Sequence, residues 1–197
     1  MPCGGNAMEN DLAAPVFYNL EASGLNGCPI EVGWAWSDVD SGAIHSDSYL
    51  IRPPLEWDVA GTWDPRIATR HGISIDHLSR RGRPILEILR RLNEALVGRE
   101  VYADSPFSEP WLRQLFDSER IEPDFSVRRT HPVRLFIHFG CDQRLYAAAK
   151  RQALRIAPLR HRAEADARHW AVMWAIVASE LRNRHQREAP SGVRIIH

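Results

Sequence analysis

Asn19 and Glu21 stand two apart in the run Val16-Phe17-Tyr18-Asn19-Leu20-Glu21. On a strand, alternate side chains share a face, so the two point the same way at roughly 7 Å, from about 3.3 Å of rise per residue. Two oxygen-bearing groups so placed can share a divalent ion; taken alone, they read more simply as polar residues on a solvated face. Asp166 lies four residues before Trp170, on the same stripe of a helix as apolar anchors. An inward carboxylate there needs more than a helix N-terminus to offset its charge, and a metal ion would supply it; the competing reading is a capping aspartate. His161, five residues before Asp166, has the side chain suited to take a proton from water near neutral pH, although the run Arg160-His161-Arg162 alone reads as surface. Asp104 falls where a short strand meets a helix, either a further carboxylate at the sheet edge or a cap or turn residue.

The elements that must position these groups are legible in outline. Val16 to Glu21 reads as a strand with Val16, Tyr18 and Leu20 on one face; Ala22 to Gly27 turns the chain, and Ile30–Trp36 and Ala43–Ile51 continue an antiparallel meander. Pro53-Pro54 ends it, and a loop rich in Trp, Pro and Gly runs to His71-Gly72-Ile73. Ile85, Ile88, Leu89, Leu92 and Leu96 recur at helical spacing after Pro84, with Gly98 as a stop. A strand at Glu100–Ala103 follows, then helices at Pro110–Phe116, Asp142–Arg155 and Ala163–Arg182, the last with Trp170, Trp174, Val177 and Leu181 on one stripe. Ser118 to Cys141 mixes strand-like and loop-like cues. The pattern predicts an α/β domain over residues 15–182, a mixed sheet with helices packed on it, between a flexible segment 1–14 and a polar, mobile tail 183–197.

Composition narrows the function classes. With 197 residues, 44% of them hydrophobic, the chain can bury one sizeable core. Lys+Arg and Asp+Glu both number 25, so nothing suggests a protein that coats long polyanions through its overall field; a nucleic-acid end held in a local pocket stays open. No apolar run reaches the roughly 20 residues of a membrane span, and the first residues lack the order of a signal peptide, so the expectation is a cytoplasmic protein without membrane contact. Cys3, Cys28 and Cys141 form no C-x-x-C pair and read as reduced thiols.

The blocks Tyr18-Asn-Leu-Glu-Ala-Ser-Gly-Leu, Pro29-Ile-Glu-Val-Gly-Trp, His71-Gly-Ile-Ser, Val101-Tyr-Ala-Asp-Ser-Pro with Trp111-Leu, and His161-Arg-Ala-Glu-Ala-Asp166 follow one another in order. Together they resemble the DEDDh exonucleases, the DnaQ-like branch of the ribonuclease H-like superfamily, over residues 15 to 180. The resemblance implies a ribonuclease H-like α/β fold, two Mg²⁺ or Mn²⁺ ions, and 3′→5′ release of nucleoside 5′-monophosphates from the 3′ end of single-stranded DNA or RNA; a homodimer is compatible with it. Carried over by position, Asn19, Glu21, Asp104 and Asp166 are the four metal ligands and His161 the general base, with Glu109 in reserve for Asp104. Many relatives place that third aspartate directly after an aromatic residue, and here Phe107 is followed by Ser108 and Glu109. Ala22, Ser23, Gly24 and Leu25 would flank the terminal nucleotide, with Leu25 as an apolar wedge, and His71, Gly72 and Ile73 would form the opposite wall. Arg128, Arg129, Arg160 and Arg162 are expected phosphate contacts. Asn19 departs from the family pattern, because an amide brings no charge where an aspartate bridges both ions. It implies an impaired enzyme, by deliberate substitution or by natural degeneration, or else a module that binds nucleic acid without cleaving it.

Overall fold

The computed structural model describes residues 14–38 and 41–188. Strands β1 (Val16–Ala22), β2 (Pro29–Ser37) and β3 (Ile44–Leu50) form the antiparallel meander, and β4 (Glu100–Tyr102) and β5 (Ser126–Arg128) add to it in parallel. The sheet order is β3-β2-β1-β4-β5. The helices are α1 (Pro65–His71), α2 (Ile75–Arg81), α3 (Ile85–Leu96), α4 (Ser108–Glu119), α5 (Pro132–His138), α6 (Gln143–Ile156) and α7 (Ala163–Glu188). An α/β architecture with a mixed sheet and flanking helices is what the pattern predicts.

Several boundaries differ from the expectation. The region read as a loop up to Ile73 contains α1, capped by the Asp64 side chain with Pro65 in its first turn, and α2 follows, capped by Ser74. Both have seven residues, too few for a hydrophobic period to stand out. Strand β5 and helix α5 lie in the region of mixed cues; α5 is capped by His131 and also has seven residues. Helix α7 runs six residues beyond Arg182, so 183–188 are helical rather than a mobile tail. Residues 1–13 and 189–197, expected to be flexible, lie outside the described residues. No described helix is long and apolar enough to cross a membrane. Cys28 and Cys141 are free and buried, and Cys3 is outside the described residues.

The period-two pattern of β1 sorts its side chains between two cores. Val16, Tyr18 and Leu20 pack with Val32, Trp34, Ile88, Leu89, Leu92 and Leu115, beneath α3 and α4. Phe17 turns the other way, to Ala35, Phe136, Ala167, Ala171 and Trp174, beneath α5 and α7. Each of these large side chains contributes about 1.5–3 kcal/mol on burial, enough to set which face is which. Asn19 and Glu21 therefore fall on the α7 face. In the antiparallel register Asn19 pairs with Gly33 and Glu21 with Glu31. A Cβ at Gly33 would stand 2.4 Å from the Glu164 amide nitrogen and 2.6 Å from the Ala163 carbonyl carbon, so only glycine lets the start of α7 press onto β2 there. Glu164 fastens the same turn to β3 through Ser46, 2.8 Å away.

Candidate active site

Glu31 is the anchor that brings α7 to the strands. Its side chain is 2% exposed, and its carboxylate accepts from Arg162 Nε at 3.0 and 3.1 Å, from an Arg162 terminal nitrogen at 2.5 Å and from the Ala163 amide at 2.9 Å. A buried carboxylate is tolerated when its lone pairs are filled in this way. Reading the residues one by one missed this role. Its only local signal is an acid on the inward face of a strand whose other residues are apolar or small.

Asp166, in the first turn of α7, is buried, and one of its oxygens accepts the Arg160 amide hydrogen at 2.8 Å. That bond folds the segment before α7 back over the site. His161, within this segment, adopts φ +52°, a left-handed conformation that costs a residue with a Cβ roughly 1–2 kcal/mol. Such strain at a titratable residue is a feature of functional sites. His161 is exposed, and its Nε2 lies 3.3 Å from a terminal nitrogen of Arg70, the residue before the end of α1.

Glu21 is in a different electrostatic state from Glu31. Among the described residues, no hydrogen bond or ion pair engages its carboxylate. Its pKa is pushed up to about 8, first by burial, then by the charges of Asp166 and Glu31, with Arg162 and Arg70 pulling the other way. Burial also raises the Asp166 carboxyl, and Asp104 adds to that rise. Asp104 sits two residues past the Phe17–Tyr102 pairing of β1 with β4, so the register carried forward brings it level with Asn19. One Asp104 oxygen accepts the indole hydrogen of Trp170 at 3.0 Å. Asn19 is itself buried and forms no side-chain hydrogen bond to a described residue.

Glu109, the reserve for the third acidic position, is held elsewhere. It forms a fork with Arg129 at 2.8–3.0 Å and a second pair with Arg113 at 3.4 Å. Its charge adds to the burial that raises the Tyr18 hydroxyl, and Tyr18 belongs to the opposite core. Ser108, which follows Phe107, is fully buried and its hydroxyl has no hydrogen-bond partner among the described residues. Among the described residues no group of three or more His, Cys, Asp or Glu side chains is arranged to hold a metal ion.

The expected substrate walls divide into scaffold and surface. The Ser23 hydroxyl accepts the Cys28 amide at 2.9 Å and meets the Thr62 hydroxyl at 2.8 Å, while the Ser23 carbonyl accepts the Asp64 amide. Gly24 is pressed so close that a Cβ would lie 2.4 Å from the Thr62 carbonyl. Ala22, Ile73 and His71 are buried, His71 with Nδ1 accepting the Ile73 amide. Leu25, 57% exposed, and Gly72, at φ +67°, reach the surface. Of the expected phosphate contacts, Arg128 pairs with Glu100, Arg129 with Glu109 and Arg162 with Glu31. Arg160 forms no ion pair among the described residues.

No protein-family model matches the sequence, and no curated protein matches it. Solved structures do. The chain is similar to E. coli exonuclease I in complex with a dA16 oligonucleotide, with a TM-score of 0.57, 13% identity, and coverage of 88% of this chain and 43% of that one. It is also similar to a zinc-bound form of the complex of E. coli exonuclease I with single-stranded DNA (TM-score 0.53, 13% identity, 88% and 41%) and to exonuclease I without ligand (0.54, 15%, 89% and 46%). The chain thus spans less than half the length of these proteins, and what it shares with them is the ribonuclease H-like α/β fold.

Proposed function

We propose that this chain holds the 3′ end of a single-stranded DNA or RNA on the α7 face of its sheet and retains a weakened 3′→5′ exonuclease centre there. The observation that carries the reading is the meeting of Glu21 and Asp166, two carboxylates that β1 and α7 bring within mutual repulsion and that have no ion pair among the described residues. Similarity in fold to a protein crystallised with single-stranded DNA, also in a zinc-bound form, supports it.

Glu21 and Asp166 suit one divalent cation such as Mg²⁺ or Mn²⁺, since neither carboxylate has an ion pair among the described residues and a cation would favour the ionised forms that burial opposes. The two-ion arrangement does not fit: Asn19 is uncharged and one oxygen of Asp104 is engaged by Trp170. A cation at Glu21 and Asp166 would neutralise charge and polarise a phosphate oxygen. The chain's own residues supply the rest. Leu25 covers the terminal base, the segment from His71 to Ile73 bounds the pocket, and His161 Nε2 takes a proton from water, a contribution typically of about 10²–10⁴-fold.

A second reading has a specific observation behind it. Ser108 stands directly after an aromatic residue, where relatives carry an acid, so with Asn19 two acidic positions are neutral, as suits a module that binds without cleaving. Incubating a 5′-labelled single strand with Mn²⁺ and either this protein or its Asn19→Asp variant decides between them. Slow release of mononucleotides by the first and faster release by the second supports the exonuclease reading. Binding without release by either favours the binding module, and failure to bind excludes both. A closed circular strand should resist where a linear one is shortened.

A further inference from the structure

Three of the arginines around the site are spent on carboxylates, as described above. Arg70 is not. Among the described residues it forms no ion pair, yet its charge acts on Glu21 and its terminal nitrogen lies 3.3 Å from His161 Nε2. A guanidinium has only donors, so a hydrogen bond between Arg70 and His161 uses the Nε2 lone pair. That lone pair is the one a proton-accepting role needs. A cation with no carboxylate partner among the described residues therefore stands 3.3 Å from the working nitrogen of the candidate base.

The backbone beneath Arg70 is fixed. Asp64 caps α1, Gly72 ends it in the left-handed conformation, and the adjoining His71 is buried. The Arg70 side chain is exposed and free to change partner. A phosphodiester is a stronger acceptor for a guanidinium than a neutral imidazole, because charge-assisted hydrogen bonds are roughly twice as strong and a phosphate can take the fork with two oxygens.

We propose that Arg70 binds the phosphate of the 3′-terminal nucleotide and, by leaving His161 to do so, frees the Nε2 lone pair only when a strand is in place. Arg70 is then both a substrate contact and a latch on the base, which ties proton acceptance to occupancy. The inference rests on the reading of this face as a 3′-end pocket. It gives a use for the left-handed backbone that holds this exposed histidine with its Nε2 against the Arg70 guanidinium.

The test uses a five-residue oligothymidylate with a 3′-hydroxyl, and the same strand with an uncharged methylphosphonate in its last linkage, each titrated with Mg²⁺ into the protein and into Arg70→Gln and Arg70→Lys. The expected result is that the unaltered protein prefers the phosphodiester and that Arg70→Gln loses about tenfold or more in affinity and loses the preference, the size of one charge-assisted hydrogen bond. Arg70→Lys recovers part of it. In parallel, the imidazole ¹⁵N signals of His161, assigned with His161→Gln, should shift when the phosphodiester binds, and in Arg70→Gln should already differ before any strand is added. Equal affinity of Arg70→Gln and the unaltered protein would overturn the proposal while leaving the pocket intact. No binding by the unaltered protein would remove the pocket reading and the proposal together. Unchanged ¹⁵N signals in Arg70→Gln would overturn the latch. Because Arg70 is exposed, its variants should unfold at the same temperature as the parent, which separates these outcomes from misfolding.

Discussion

Glu21 and Glu31 are cross-strand neighbours on one face of the sheet, paired directly in the register of β1 and β2. Glu31 is closed off by the Arg162 fork and the Ala163 amide; Glu21, beside it, has neither ion pair nor hydrogen bond from the described residues and a carboxyl pushed up to about 8. The two share residue type and strand geometry, Glu31 buried and Glu21 half-buried. What differs is where the α7 N-terminus lands. Its first amide and the preceding arginine meet Glu31, and its first-turn acid, Asp166, faces Glu21. One glutamate becomes a joint of the fold, and the other is left with a charge that burial and a second carboxylate oppose.

The largest expected effect comes from breaking the joint. Glu31→Ala leaves Arg162 and the Ala163 amide without their acceptor and should cost about 3 kcal/mol, the low end for breaking a buried ion pair because Arg162 is half-exposed. Urea unfolding measures it, and an unchanged midpoint would refute the anchoring role. Activity should fall with it, since Asp166 and His161 depend on where α7 starts.

Asn19→Asp sharpens the contrast from the other side by adding a third carboxylate beside Glu21. Turnover of a single strand in Mn²⁺ should rise by an order of magnitude or more, since one charge aimed at reacting groups is commonly worth about 10²-fold. Without divalent cations the same variant should be less stable than its parent. Thermal unfolding with and without Mg²⁺ reads both signs, and a variant equally stable in the two conditions would argue against a cation site at Glu21.

A smaller effect is the pH dependence of stability. A carboxyl raised from 4.5 to about 8 by folding binds its proton more tightly in the folded state, so its contribution is fully present below about pH 4.5 and is lost as pH rises through 8. Asp166, also raised, acts in the same direction, while His71, lowered by burial, acts in the opposite one near its ordinary range. The difference between the protein and Glu21→Gln isolates Glu21: their denaturation midpoints should diverge between pH 5 and 8.5 in favour of the variant, and Mg²⁺ should narrow the gap. Parallel curves would mean that Glu21 is not strained.

The smallest effect belongs to Ser108. Its hydroxyl is buried without a partner among the described residues, so Ser108→Ala should leave stability unchanged or raise it slightly, as measured by thermal unfolding. A clear loss would reveal a hydrogen bond that the hydroxyl makes in solution.

The alternation in β1 by itself placed Asn19 and Glu21 on a common face, and the 3.6-residue stripes of α3 and α7 established two of the packing helices, because period and burial are local properties of a chain. The turn residues around Gly98 and the run ending in Asp166 likewise announced their element boundaries. Only the tertiary structure gave Asp104 and Glu109 their different partners, since Trp170 and Arg129 come from 66 and 20 residues away. It alone divided Glu31 from Glu21, through an arginine 131 residues distant, and set Arg70 against His161 across 91 residues. Short elements such as α1, α2 and β5 lacked the length for a period to show. A side chain's type is written in the sequence, but whether its charge is answered depends on which distant backbone or side chain reaches it, and that is decided by the packing of α7 and α1 onto the sheet.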